Sequence, residues 1–326
     1  MLNILFFLLL SYSIISIYLI PDPYIRSLGY FISTARALNT LYSSVHKLIF
    51  ILGIDALDYD LVDKLNLNNL KQVEYGKIVI PIDEKKGYPL SPQVWSSFLI
   101  GRNTSIGFEK SHNFMEYLIK INLSFKFDLS KGLLRRIRSF YLENFTSSKR
   151  FGNLKQKTFL DIMNSKEINV PFYNFDNKTF DVLYLFGNGK LSLAQSIKEI
   201  KSIYEKRKRQ IVNELENINN SDIVFAYMHT TDVLQHFLFN QIYEIEKHYI
   251  NLDNYLSVLK RKLEYSYGDV IFIIVSDHGF DFEIGNHSRR GFYSSNVNLI
   301  PKPEKITDFY GIILDLVNKS NGLSRS

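Results

Sequence analysis

Three apolar runs punctuate the chain, and each gives way to polar residues at its carboxyl end: "LIFILGID" (48–55), "IVFAYMH" (223–229) and "VIFIIVSD" (270–277). They are continuous rather than alternating and rich in β-branched and aromatic residues. That is the pattern of strands buried on both faces of a largely parallel sheet. Helical spacing of apolar residues marks the long stretches "LSLAQSIKEIKSIYEKRKRQIVNELENI" (191–218) and "FNQIYEIEKHYINLDNYLSVLKRKLEYS" (239–266). Strand, helix, strand alternation predicts an α/β domain, a mostly parallel central sheet flanked by helices, over residues 47–318 with a short tail at 319–326. About residues 108–190 the pattern is least regular and reads as a cap or insertion.

The first twenty residues, "MLNILFFLLLSYSIISIYLI", hold no charged side chain. A helix of that length spans about 30 Å, the thickness of a bilayer core. Residues 1–22 are therefore expected to be an N-terminal transmembrane helix, a single-pass membrane anchor. A cleaved signal would carry a basic n-region and a small-residue cleavage site, and neither is evident. Residues 23–46, after Pro21 and Pro23, read as a juxtamembrane helix or linker. Arg26, Arg36 and Lys47 follow the apolar segment, which leans the catalytic domain towards the cytoplasmic side.

Composition narrows the chemistry. The 326 residues contain no cysteine, so disulfides, thiolate metal ligands and a cysteine nucleophile are excluded, and any metal must be held by His, Asp and Glu. The net charge of +6 is concentrated in clusters such as Arg135-Arg136-Ile137-Arg138 and Lys206-Arg207-Lys208-Arg209. Such clusters suit a solvated helix face first and an anionic partner second; nucleic acid is not indicated. Seven Asn-x-Ser/Thr sequons occur, one of them Asn286-His287-Ser288, but an Asn-rich chain generates these by chance.

Ligands of open α/β sheets bind beyond the carboxyl ends of the strands. There the chain places Asp55 after the first run, Asp232 and His236 after the second, and Asp277 and His278 after the third, with His287 nine residues on. Asp232 and His236 are four apart and share one helical face. A carboxylate and an imidazole at a buried strand end cost desolvation unless something pairs them. Together these residues supply three carboxylates and three imidazoles, the N and O donors of zinc. A catalytic zinc keeps three protein ligands and an open position, so six ligands divide into two sites.

A nucleophile candidate lies in "GYPLSPQVWSSFLIGR" (87–102). Ser91 precedes Pro92 and reads as the N-cap of a short helix ending near Gly101, with Pro92 at the first helical position. That placement would aim free backbone N–H groups at whatever the hydroxyl attacks, which suits a phosphate. Ser96 and Ser97 lie inside the helix and are poorer candidates.

The blocks "GIDALDYDLV" (53–62), "PLSPQVWSSFLIG" (89–101), "DVLQHF" (232–237) and "SDHGF" (276–280) followed by His287 resemble, in that order, the alkaline phosphatase superfamily. The resemblance is closest to its type I phosphodiesterase/nucleotide pyrophosphatase branch and frames about residues 47–295. It implies an alkaline-phosphatase-like fold and two divalent cations, zinc by preference, with manganese also compatible with His and carboxylate ligands. It implies that Asp55, Asp277 and His278 bind one cation, which also holds the Ser91 oxygen, and that Asp232, His236 and His287 bind the other. Ser91 aligns with the family's Thr or Ser nucleophile, ten residues before Gly101.

From the family follow an in-line attack by Ser91 on phosphorus, a phosphoseryl intermediate and its hydrolysis by water. Two departures stand out. Residues 100–107 lack the Thr-Gly, Pro and His-Gly that often follow the nucleophile helix, and Ala56 stands where glycine is frequent, a change expected to leave the metals unaffected. A sulfatase is disfavoured, because Trp95 stands where that branch needs arginine. The expected function is a membrane-anchored phosphohydrolase acting on a phosphate-ester small molecule. The alternatives are a phosphoryl or phosphoalcohol transferase of the same superfamily and a non-catalytic membrane-bound binding protein on this fold.

Overall fold

The three apolar runs become neighbouring strands. The computed structural model describes residues 47–84, 87–104, 154–218 and 221–320. In chain order its elements are β1 (Ile49–Ile54), α1 (Tyr59–Lys64), α2 (Asn68–Lys71), β2 (Glu74–Val79), α3 (Ser91–Ile100), α4 (Phe159–Ile162), β3 (Ser165–Ile168), α5 (Lys178–Gly187), α6 (Leu193–Glu214), β4 (Ile223–Met228), α7 (Thr230–Leu238), α8 (Ile242–Tyr267), β5 (Ile271–Val275), β6 (Phe280–Asp281), β7 (Asn286–His287), β8 (Arg290–Ser295) and α9 (Asp308–Ser320). Six strands form one sheet in the order β2-β8-β5-β1-β4-β3. Its pairs β3–β4, β4–β1 and β1–β5 are parallel, while β8 runs antiparallel to both β5 and β2. One strand of the six therefore opposes the rest, as expected for a mostly parallel sheet flanked by helices.

Alternation along the strands divides the core in two. Phe50, Leu52 and Ile54 face a cluster with Leu252, Leu256 and Leu259 of α8 and Ile200 and Ile211 of α6. Ile49 and Ile51 face the other side, packed with Val94, Trp95 and Phe98 of α3 and Phe309 and Ile313 of α9. Both faces are covered, which is why β1, β4 and β5 are apolar without interruption. Gly53 is the one break in β1. A Cβ there would lie 2.9 Å from Trp95, 3.0 Å from Phe225 and 3.1 Å from Tyr227, so the bare backbone admits the three rings.

Register carries the fold to the site. Gly53 pairs with Tyr227 on one side and Val275 on the other, and Asp55 N donates to Met228 O at 3.0 Å. The three strands thus end level, and the residues after them emerge side by side.

Several sequence expectations fall elsewhere. The proposed anchor at 1–22, the linker at 23–46 and the Arg135–Arg138 cluster lie outside the described residues. Among the described residues no helix is long and apolar enough to cross a membrane. Of the segment about 108–190, the described part from residue 154 supplies α4, β3 and α5, so β3 belongs to the main sheet rather than to a separate cap. The Lys206–Arg209 cluster is not a uniform basic face. Arg207 turns inward and pairs with Asp176 at 2.5 Å, and Lys208 pairs with Glu205 at 2.7 Å.

His248 of α8 is buried, with its Nε2 3.1 Å from Thr231 Oγ1 and its ring edge-on to Tyr204. Burial, helped by Lys201 and Lys208, lowers its pKa to about 3. Below about pH 6.5 the unfolded chain takes up a proton here that the folded one refuses, so stability falls as pH drops from 6.5 towards 3. Between pH 7 and 4.5 this one group should cost about 2–3 kcal/mol. Urea unfolding of a His248→Gln variant at both pH values is expected to show that much less acid destabilisation than the native chain.

Candidate active site

The turn after β1 begins with Asp55, fully buried, and Ala56 in the left-handed region at φ 59°. A non-glycine residue there costs roughly 1–2 kcal/mol, which accounts for the glycine frequent at this position in the family the chain resembles. Ala56 is also closer to the chemistry than the sequence suggested, since its N–H reaches Asp277 Oδ1 at 3.3 Å. Next, Leu57 N–H donates to Ser276 Oγ at 2.8 Å, and Asp58 caps α1 through Leu61 N–H at 2.9 Å. The other Asp58 oxygen accepts from Phe280 N–H at 3.2 Å, tying the β1 turn to the loop after β5.

Tyr249 of α8 ties in the third segment. Its hydroxyl accepts from Asp58 N–H at 2.9 Å and from Gln235 Nε2 at 2.6 Å, and Gln235 sits beside His236 on α7. Neither Asp58, Tyr249 nor Gln235 stood out in the sequence. A carboxylate, a phenol and an amide that are buried must be hydrogen-bonded, and these three are bonded to one another's loops.

On this frame the structure brings all seven sequence-selected residues together. His278 Nε2 lies 3.3 Å from Asp55 Oδ1, 3.4 Å from Asp277 Oδ2 and 3.2 Å from Ser91 Oγ. Asp232 Oδ1 lies 3.3 Å from His236 Nε2 and 3.3 Å from His287 Nε2, and those two nitrogens are 3.1 Å apart. The groups abut, with the His278 and His287 rings stacked at 3.7 Å. Donor atoms of Asp55, Asp277 and His278 fall within 4.8 Å of one another, as do those of Asp232, His278 and His287, so His278 borders both groups.

The donors fit cations on two counts. Four ligand atoms about 2.0–2.1 Å from one zinc in a tetrahedron sit about 3.3 Å apart, close to the edges just given. In addition, Asp55 Oδ1, Asp232 Oδ1 and Asp277 Oδ2 are buried without a hydrogen-bond partner. Among the described residues no lysine or arginine ion pair reaches these three carboxylates; their recorded ion-pair partners are histidines. Buried carboxylate oxygens that receive no hydrogen bond and face only imidazoles carry a desolvation cost that a divalent cation removes.

Electrostatics of the metal-free cluster follow. Burial and then Asp55 raise Asp277 to about 7. Burial works to lower His278, but Asp277 and Asp55 outweigh it and raise the imidazole to about 10. His287 is lowered to about 4 by burial and by His278, so it offers a bare nitrogen at neutral pH. Burial pushes Asp232 up, yet His236 and His287 hold it well below the usual carboxylate range. Gly279 O, 3.0 Å from His278 Nδ1, can only accept, which places a ring proton there and turns Nε2 inward.

Ser91 departs from its expected role. Leu90 is the N-cap, Ser91 the first helical residue and Pro92 the second, and no side chain caps the helix. Pro92 has no N–H, and Gln93 N–H is taken by Leu90 O at 2.9 Å, so the expected row of free donors is absent at this end. Released from capping, the Ser91 hydroxyl meets His278 instead. Asn286, the acceptor residue of one sequon, is buried, which closes that sequon in the folded chain.

The type I phosphodiesterase / nucleotide pyrophosphatase family model matches residues 135–289. This is the family that the four sequence blocks resemble. The matched stretch takes in Asp232, His236, Asp277, His278 and His287 and leaves Asp55 and Ser91 outside it. A search of curated proteins finds no match. Among solved structures, an alkaline phosphatase from the Antarctic bacterium TAB5 is similar at 10% identity and a TM-score of 0.46, covering 86% of this chain and 99% of that one. Murine ectonucleotide pyrophosphatase / phosphodiesterase 5, as an inactive variant in complex with AMP, is similar at 13% identity and a TM-score of 0.39, covering 72% of this chain and 57% of that one. A Pyrococcus horikoshii protein is similar at 14% identity and a TM-score of 0.42, covering 86% and 99%.

Proposed function

We propose that this phosphodiesterase-like chain is a two-metal phosphohydrolase acting on phosphodiesters, pyrophosphates or monoesters, with Ser91 as nucleophile. What supports the reading is one juxtaposition: a serine hydroxyl released from helix capping, 3.2 Å from His278 Nε2, in a cluster with three buried carboxylate oxygens that receive no hydrogen bond. Asp55, Asp277, His278 and the Ser91 oxygen would hold one cation, and Asp232, His236 and His287 the other. Zinc is the ion best matched to three carboxylate and imidazole donors per site. When bound, the cations supply Lewis-acid charge to the attacking and leaving oxygens.

The chain's own residues perform the rest. Ser91 gives its proton to solvent at a position where His278, Asp55 and Asp277 define the local charge. Its oxygen attacks phosphorus as the bond to the leaving alcohol or phosphate breaks, and the leaving oxygen regains a proton from solvent. A phosphoseryl ester results. Water then attacks the same phosphorus, the Ser91 oxygen departs, and phosphate or a phosphate monoester is released. The buried walls of β1, β4 and β5 hold the ligands fixed while this happens, so little reorganisation accompanies the charge movement.

Purified protein supplied with zinc is expected to hydrolyse bis-p-nitrophenyl phosphate or p-nitrophenyl phosphate, to lose at least about 100-fold in rate on chelation, and to recover on readdition of the ion. The ratio of diester to monoester rates identifies the substrate class. Metal-replete protein inert on diesters, monoesters and pyrophosphates alike would overturn the proposal in favour of a binding role.

A further inference from the structure

Each of the three carboxylates in the cluster is divided between an inner and an outer oxygen. The inner ones, Asp55 Oδ1, Asp232 Oδ1 and Asp277 Oδ2, have no hydrogen-bond partner. The outer oxygens of Asp55 and Asp277 accept hydrogen bonds, and that of Asp232 faces an imidazole. Tyr227 Oη donates a short hydrogen bond to Asp55 Oδ2, and Ala56 N–H reaches Asp277 Oδ1 at 3.3 Å. His229 Nε2 faces Asp55 Oδ2 at 3.7 Å and Asp232 Oδ2 at 3.8 Å, one outer oxygen from each triad.

Both residues are held from behind. Tyr227 is fully buried with its ring edge-on to Trp95, a residue of the helix that begins with Ser91. His229 Nδ1 shares a 2.7 Å hydrogen bond with Thr179 Oγ1, and Phe180 packs against its ring at 4.7 Å. The two carboxylates beside Nε2 favour a proton on that nitrogen through charge, and the Thr179 hydroxyl can then donate to Nδ1.

We infer that Tyr227 and His229 are positioning residues that set which cation the site accepts, Tyr227 by engaging the outer oxygen of Asp55 and His229 by placing an imidazole nitrogen beside the outer oxygens of Asp55 and Asp232. The inference rests on the two-metal reading above and deepens it. A carboxylate with both oxygens available chelates, which suits hard ions that gather six or more oxygens. A carboxylate with one oxygen engaged outside is a single donor. Asp55 Oδ1, Asp277 Oδ2, His278 Nε2 and Ser91 Oγ then make four donors, the number zinc takes, and leave an ion that wants six short of ligands.

The test measures binding of zinc and of manganese, each alone, to the metal-stripped full chain by competition with a chromophoric chelator. Tyr227→Phe keeps the ring and removes only the donor. It is expected to weaken zinc 10–100-fold at one of two equivalents and manganese less, so that the zinc-to-manganese affinity ratio there falls several-fold. His229→Gln, at a residue that faces one carboxylate of each triad, is expected to weaken zinc at both equivalents. Thermal unfolding of the metal-free variants shows whether each is folded, and the His229 arm decides if Tyr227→Phe is not. Native chain that binds two zinc ions, with folded variants whose zinc-to-manganese ratio matches it, overturns this inference alone. Native chain that takes up no zinc overturns the two-metal reading as well.

Discussion

Replacing Ser91 with alanine is expected to lower turnover by about 10³- to 10⁶-fold, the range over which removal of an attacking residue acts. The same change should leave zinc content near two equivalents. All six His and Asp donors survive it, and the hydroxyl is the sole group lost, at a helix position where it caps nothing. The two readouts together separate a nucleophile from a structural serine: steady-state hydrolysis of a nitrophenyl ester, and metal content by elemental analysis of the same sample. A variant that keeps the native rate would show that the attacking oxygen comes from elsewhere, with water as the first candidate.

The second large effect concerns His287. Its Nε2 closes the triangle with Asp232 Oδ1 and His236 Nε2 at 3.3 and 3.1 Å. In His287→Ala that group falls to two protein ligands, below the three that a catalytic zinc site keeps. Metal content should drop from about two equivalents to about one, with turnover lower by at least about 100-fold. Because His287 also stacks on His278 at 3.7 Å, the remaining equivalent is expected to bind more weakly than in the native chain. Retention of both equivalents at native affinity would remove His287 from the ligand set.

Much of this was legible in the amino-acid order. The central strands announce themselves because both faces are buried, and burial on both faces leaves an uninterrupted apolar run. The candidate ligands are legible for the converse reason: a charged group directly after such a run has no cheap way to be there. What escaped follows the same logic. β3, "SKEI", and β2, "EYGKIV", are edge strands with one flank in solvent, and their polar composition hides them. The helix start at Ser91 was displaced by one residue, since Leu90, which has no capping side chain, takes the N-cap position that Ser91-Pro92 seemed to mark.

Tyr227 and His229 were inside a run already read as a strand, and there lay the missed signal. A phenol in a fully buried strand needs a hydrogen-bond partner at depth. One sheet position from the end of β1, that partner is Asp55. The proposed metal ligands are conspicuous because they break the apolar pattern, whereas the groups proposed to position them hide by conforming to it.

Gly53 gives the arrangement a scale. The strand that delivers Asp55 and the helix that delivers Ser91 meet where the edge of the Trp95 ring, with Phe225 and Tyr227, closes on the bare backbone of Gly53. A side chain larger than glycine at position 53 would push that helix off the strand, and with it Ser91 away from His278 and Asp55.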